Sequence, residues 1–346
     1  MFESFEFQTL TAPQAAIWLG LALGIIFGAL AQITRFCLRR AVAGDAAERR
    51  PALSIWLTAL ATATLGTQTA VAMGWISFAD HRFFAAEMPV LAIITGGLMS
   101  GAGMVLTRGC VSRLTVLFAS GNLRALTVLM IFAVTAHATL KGILAPLRTT
   151  LGSVTVDIAP ALPGHPLLWA ALIAAVAVTL ALRANARVLH LGLAAMLGLL
   201  VPLGWVGTGL VLFDEFDPVA LQSLSFTAPY ADSLFWTIAN TAIPANFGVG
   251  LVGGTIMGAL LLAITRREFH WQSFTSPAQT GRYAAGAMLM GVGGVLAGGC
   301  TVGAGLAGVP SLGLSAILAL VAIVAGAKLA DLALGTTPQT HAIPAE

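Results

Sequence analysis

Long apolar runs alternate with short polar loops along the whole chain. Residues 14–34, 53–76, 88–110, 124–146, 167–182, 188–212, 247–265, 283–300 and 310–330 are each predominantly apolar. About 20 apolar residues make a helix long enough to cross a bilayer, so the pattern predicts about nine transmembrane helices. Several runs are interrupted. Gly121-Asn122 reads as a turn after the short segment 111–120. The loop 148–166 holds Pro160, Pro163 and Pro166. Residues 232–246, broken by Asn240, Pro244 and Asn246, are too short to span and read as a half-helix or surface segment. The amphipathic stretch 268–282 is expected at a membrane interface. The predicted class is all-α: a polytopic membrane protein with short broken or re-entrant helices, forming one integral membrane domain over 1–346.

Composition agrees with that pattern. Apolar residues make up 58% of the chain and charged residues 9%, with a mean hydropathy of +0.92. A soluble domain carries about 25% charged residues, so this chain cannot cover itself with water-facing side chains. The net charge of +3 is too small to argue for nucleic acid.

Where the charges sit says more. Arg35, Arg39, Arg40, Arg49 and Arg50 crowd one short loop, and Arg183, Arg187, Arg266 and Arg267 mark two others. Basic loops stay in the cytoplasm. Loops with Asp80 and Glu87, and with Asp214, Glu215 and Asp217, fall on the opposite side. The start of the chain, with Glu3 and Glu6, is then outside and the tail 331–346 inside. No basic segment precedes the first apolar run, so no cleaved signal is expected.

One stretch is written twice. At an offset of 190, Gly96, Gly101, Gly103, Leu106, Gly109 and Cys110 fall on Gly286, Gly291, Gly293, Leu296, Gly299 and Cys300. The topology makes the first copy descend and the second ascend. They form an internal inverted repeat, with cassettes at about 88–146 and 283–330, a frequent device in transporters with the site where the copies meet. Helices 14–34 and 247–265 also look alike, through Gly24 and Gly28 against Gly254 and Gly258. They run the same way, which points to small-residue packing rather than symmetry.

The chemistry centres on three cysteines. Cys37, Cys110 and Cys300 are odd in number and lack a CxxC, which argues against a disulfide framework or a zinc site. Each could simply be a small buried residue. The glycines before Cys110 and Cys300, and Gly303, Gly305 and Gly308 after the second, are poor helix material. Close packing by small residues is one explanation. The other is broken backbone lining a polar route, the only place such backbone is tolerated in a bilayer. Thr301 opens a segment whose amides face the Cys300 turn, and helix N-termini attract anions. A buried thiol stays protonated, leaving a weak S–H donor that does not repel an anion.

Arg108 and Arg113 flank Cys110, either as an anion-attracting vestibule or as ordinary residues of a basic loop. His137 and Lys141 lie a turn apart on one helix, along the path or snorkelling to the interface. Gly303-x-Gly305-x-x-Gly308 lacks the strand that a dinucleotide site needs. No phosphate-loop motif suggests an ATP motor. The residues read as a transporter rather than an enzyme, with no metal and no cofactor.

At Gly109-Cys110 and Gly299-Cys300-Thr301-Val302-Gly303-x-Gly305-Leu306-x-Gly308, the chain resembles the YeeE/YedE family of membrane proteins, which carry a sulfur transport domain. The resemblance covers most of the chain and implies thiosulfate uptake through the bacterial inner membrane, with nine spans and loops dipping toward the membrane centre. It implies an anion passed between thiols by S–H···S contacts at Cys110 and Cys300, with Cys37 at the cytoplasmic exit. Gly109, Gly299, Thr301, Arg108 and Arg113 join those cysteines as expected site residues. After Cys110 the chain reads Val-Ser-Arg-Leu instead of a glycine-rich run. The expected partners are thiosulfate or a related sulfur anion, the lipid bilayer, and a small cytoplasmic sulfurtransferase as a separate protein. Two other readings stay open: a membrane thiol subunit for sulfur transfer or redox work, using a Cys110–Cys300 disulfide or persulfide, and a carrier of another sulfur or selenium species. A soft-metal carrier lacks ligand clusters.

Overall fold

In lipid, a backbone must satisfy its own polar groups, and the helix does so within one segment. The apolar runs fold accordingly in this computed structural model, which describes residues 11–335 apart from 160, 161, 163, 185 and 215. Glu3, Glu6, Pro160, Pro163, Glu215 and most of the tail 331–346 lie outside the described residues.

The first helix, α1 (Ala12–Thr34), opens on a reciprocal cap between Thr11 and Gln14. After a bend, α2 (Leu38–Ala43) is only 6 residues long. The next helix, α3 (Ala46–Ala72), starts before Pro51 rather than after it, so the proline lies inside the helix. Its early start carries Glu48 to Arg40, 3.2 Å away, which ties α3 to α2. Then come α4 (Val90–Leu106), α5 (Val111–Ala119) and α6 (Leu123–Lys141). Where the run 124–146 was expected to continue, the chain breaks at Gly142 and turns into α7 (Ala145–Gly152). Two-residue strands, β1 (Glu87–Met88) and β2 (Val156–Asp157), pair antiparallel and join two loops at this end.

The second half has α8 (Pro166–Leu182), α9 (Val188–Val206), α10 (Thr227–Ala239), α11 (Phe247–Thr265), α12 (Pro277–Leu296) and α13 (Leu314–Gly335). The expected half-helix at 232–246 is α10, which begins earlier, and its last residues form a link. There Asn246 caps α11 by accepting from the Val249 N–H. The stretch 268–276 is not helical. Its backbone pairs with the turn at 120–123 through His270 to Ser120, Gln272 to Gly121 and Leu123 to Gln272. The turn's Gly121, at φ +94, has no room for a side chain because the His270 carbonyl lies over it.

Among the described residues, seven segments are long and apolar enough to cross a membrane. They contain α1, α4, α6, α9, α11, α12 and α13. Helix α8 falls short with 17 residues, and α3 is not among them; it opens with Glu48, Arg49 and Arg50. Large apolar side chains such as Trp18, Leu172, Leu261 and Val321 are exposed, as a lipid-facing surface requires.

Glycine decides how the helices meet. Helices α1 and α11 run parallel: Gly20, Gly24 and Gly28 abut the backbone at Phe247, Leu251 and Thr255, while Gly250, Gly254 and Gly258 abut Ile17, Leu21 and Ile25. Between apolar helices in lipid, attraction comes from this close van der Waals approach. Helices α4 and α12 run antiparallel. Gly96 lies against Leu296 and Ala297, and Gly286 against Gly103, Leu106 and Thr107. Each of the two has a parallel neighbour: Gly97 and Gly101 of α4 meet Ala322 and Ile323 of α13, and Gly291 of α12 meets Phe132 and Thr135 of α6.

Candidate functional site

All three cysteines occupy the same kind of place. Cys37 is the residue ahead of α2, Cys110 ahead of α5, and Cys300 ahead of the short helical segment Thr301–Gly308. Two residues before each, the backbone is left-handed: Arg35 at φ 52, Arg108 at φ 59 and Gly298 at φ 73. A left-handed residue ends a helix by letting its last amides reach back to free carbonyls. Phe36 N–H donates to the Ala31 carbonyl at 3.2 Å and Gly109 N–H to the Met104 carbonyl at 3.0 Å. Thr34 and Thr107 each donate their hydroxyl four residues back, to the Leu30 and Gly103 carbonyls.

The sequence held a signal for this that the glycine pattern hid. Thr34-Arg35-Phe36-Cys37 and Thr107-Arg108-Gly109-Cys110 are the same four-residue turn. Arg108 and Gly298 therefore share a backbone role, and the Arg108 side chain is exposed. The residue just before the cysteine is tight in two of the three turns. A Cβ on Gly109 would sit 3.2 Å from the Leu114 Cδ2, and one on Gly299 2.8 Å from the Ala304 nitrogen.

The thiols are 2–4% exposed and unbridged. Cys37 Sγ and Cys110 Sγ stand 3.7 Å apart, at S–H···S distance. Cys110 Sγ also lies 3.4 Å from Ser112 Oγ. Arg113 stands close enough to act electrostatically on both sulfurs, and its Nη1 finds no hydrogen-bond partner among the described residues. Cys300 Sγ accepts from the Gly303 N–H at 3.5 Å, and Thr301 is buried beside it.

The two repeat cysteines do not meet at one point. Their turns lie at opposite ends of the α4–α12 contact, which runs from Gly286 to Ala297, roughly 16 Å at ~1.5 Å per residue. Sequence reasoning paired Cys110 with Cys300; the structure pairs it with Cys37. His137 packs its ring on Phe235, 4.8 Å between centroids, rather than near a thiol. Polar groups without glycine or sulfur to flag them also come in: Tyr230 OH bonds Thr115 Oγ1 at 2.7 Å, and a Cβ on Gly303 would meet Ser225 Oγ at 2.6 Å. Among the described residues no group of three His, Cys, Asp or Glu could hold a metal ion.

Residues 33–329, which include all three turns, match the pattern of the Sulphur transport family. The chain belongs to that family. It is 26% identical over 338 residues to the thiosulfate transporter TsuA of Spirochaeta thermophila, covering 90% of this chain and 96% of that protein. Over 120 residues it is 33% identical to the thiosulfate transporter TsuA of Escherichia coli, 34% of each chain. This sulphur transport family member is thus a multi-pass membrane protein, and its three cysteine turns lie within the region that defines the family.

Proposed function

We propose that this chain carries thiosulfate, or a closely related sulfur oxyanion, across the bacterial inner membrane into the cytoplasm. The observation that carries the reading is the placement of every cysteine at the head of a short helix that follows a left-handed break. Each of the longer two helices turns its first amides and positive dipole end toward its sulfur. The terminal sulfur of thiosulfate accepts from S–H, and its oxygens accept from backbone N–H and the spare Arg113 donor. Such S–H contacts are weak, which suits release as well as binding.

The topology follows the charges. With the arginine-rich loops in the cytoplasm, α3 and α8 join the seven apolar segments to give nine crossings. The start of the chain is then periplasmic and its end cytoplasmic. The α4–α5–α6 and α12–α13 cassettes form the inverted repeat, supported by their antiparallel contact and matching parallel neighbours. Cys300 stands on the periplasmic side, Cys110 and Cys37 on the cytoplasmic side. An anion released there meets a small sulfurtransferase as a separate protein. A related sulfur or selenium anion would use the same groups.

Alanine at Cys110 or Cys300 should abolish growth on thiosulfate as sole sulfur source at normal membrane levels; unchanged growth in both would sink the reading. A second reading, a thiol subunit for sulfur transfer, is favoured by the 3.7 Å between Cys37 and Cys110. Uptake of labelled thiosulfate into liposomes holding only the purified chain decides against it.

A further inference from the structure

Two cavities open at the end of the bundle away from the arginine-rich loops, and Arg82 and Phe83 belong to the walls of both. The larger, about 460 Å³, also holds Arg148, Ser315, Ala297 and Gly298. The smaller, about 160 Å³, is lined by Arg82, Trp205, Ser223, Ser225 and Gly303 among others. Gly303 is the residue whose amide bonds Cys300 Sγ, so the small cavity adjoins the Cys300 turn. Among the described residues neither lining includes a carboxylate.

Trp205 is 3% exposed, and its Nε1–H finds no hydrogen-bond partner among the described residues. A buried donor without a partner costs free energy, and here it stands in a cavity wall. Arg82 is reached by solvent with its guanidinium over the Phe83 ring, 5.1 Å from the centroid. Desolvation by the groups packed around it draws the Arg82 pKa down. A guanidinium keeps its charge in such a place. Ser223 Oγ is committed to the Val201 carbonyl, whereas Ser225 Oγ faces Gly303.

We propose that Arg82 and the Trp205 N–H, with Ser225, form a binding subsite for a small tetrahedral dianion ahead of Cys300. It rests on the transport reading above for its role but not for its chemistry. These donors read oxyanion oxygens, so the subsite takes sulfate as well as thiosulfate. Recognition of sulfur is left to the thiols beyond it.

The test is concentration-dependent uptake of labelled thiosulfate by the purified full chain in proteoliposomes, beside calorimetric titration of the same protein with inorganic sulfate. Removing a charge-assisted donor typically costs a factor of about ten or more. Arg82→Gln should therefore raise the half-saturating thiosulfate concentration and weaken sulfate binding by about that factor, with the maximal rate nearly kept. Trp205→Phe keeps an aromatic ring while removing the N–H and should shift both in the same direction by less, and Arg82→Lys should recover part of the loss. Half-saturation and sulfate affinity unchanged in both Arg82→Gln and Trp205→Phe would overturn the subsite. Should the wild-type chain move no thiosulfate, the transport reading falls alone. Sulfate titration then upholds the subsite if Arg82→Gln weakens binding and rejects it if affinity is kept.

Discussion

A left-handed residue two places before each cysteine lets the chain leave one helix and start another within a few residues. Outside glycine that conformation costs about 1–2 kcal/mol, so Arg35 and Arg108 are held there by their surroundings. Gly298 isolates the backbone effect, because a Cβ on it would meet nothing within 4 Å. Gly298→Ala is expected to lower stability by about 1 kcal/mol or more with no steric cause, seen as a lower midpoint of thermal unfolding in detergent. Arg108→Gly should keep the turn. His81 gives a pH signature. Burial, and less so the neighbouring Arg82, push its pKa down to about 4, and its Nδ1 accepts from the Phe83 N–H. The folded chain thus holds the neutral ring while the unfolded chain takes a proton near pH ~6.5. Stability is full above that value and falls as pH drops from about 6.5 toward 4. A pH series of unfolding midpoints should show that slope, and His81→Gln should flatten it.

At the scale of elements, glycine spacing sets which helices touch. Gly28 of α1 abuts the Thr255 carbonyl of α11, with no space for even one methyl group. Gly28→Val should push the pair apart and cut the yield of folded protein severalfold. Gly253 lies on α11 with nothing within 4 Å of an added Cβ, so Gly253→Ala should be tolerated. Size-exclusion profiles of the two variants in detergent would check this. The same repeat of small residues was visible in the sequence, since each glycine recurs four places on along its helix. What the glycine pattern did not show was that Cys37 belongs to the same kind of turn as Cys110, although Thr-Arg-x-Cys is written at both. Phe36 stands where the other turns have glycine, so a search by glycine pattern passes it over.

Across the whole molecule, antiparallel α4 and α12 hold their cysteine turns at opposite ends of one contact, and the fold around α1 brings Cys37 to Cys110. A thiol oxidant that enters membranes, such as diamide, should therefore link Cys37 to Cys110. No Cys110–Cys300 link should form, because their turns lie at opposite ends of the α4–α12 contact and a disulfide reaches only about 7 Å between Cα atoms. Mass spectrometry of the cleaved protein separates these products. On the proposed route, passage between the Cys300 and Cys110 turns, which lie at opposite ends of the α4–α12 contact, would run along other polar groups. Arg82 and Trp205 lie at the Cys300 end, and Thr115 and Tyr230 pair near the Cys110 end.

The sequence by itself determined the solvent and the elements. With 9% charged residues the chain has to face lipid, where only helices and closed barrels satisfy the backbone, and continuous apolar runs of about 20 residues choose helices. The doubled Gly-Cys stretch marked where those helices break, because glycine at fixed offsets from a cysteine is a local pattern. Only the tertiary structure decided which sulfurs meet and which donors stand unpaired beside them. Cys37 and Cys110 are 73 residues apart, and Arg82, Trp205 and Gly303 come from three distant segments. Their proximity depends on helix packing over long separations, where side-chain fit and backbone approach choose the neighbours and no spacing along the chain records the choice.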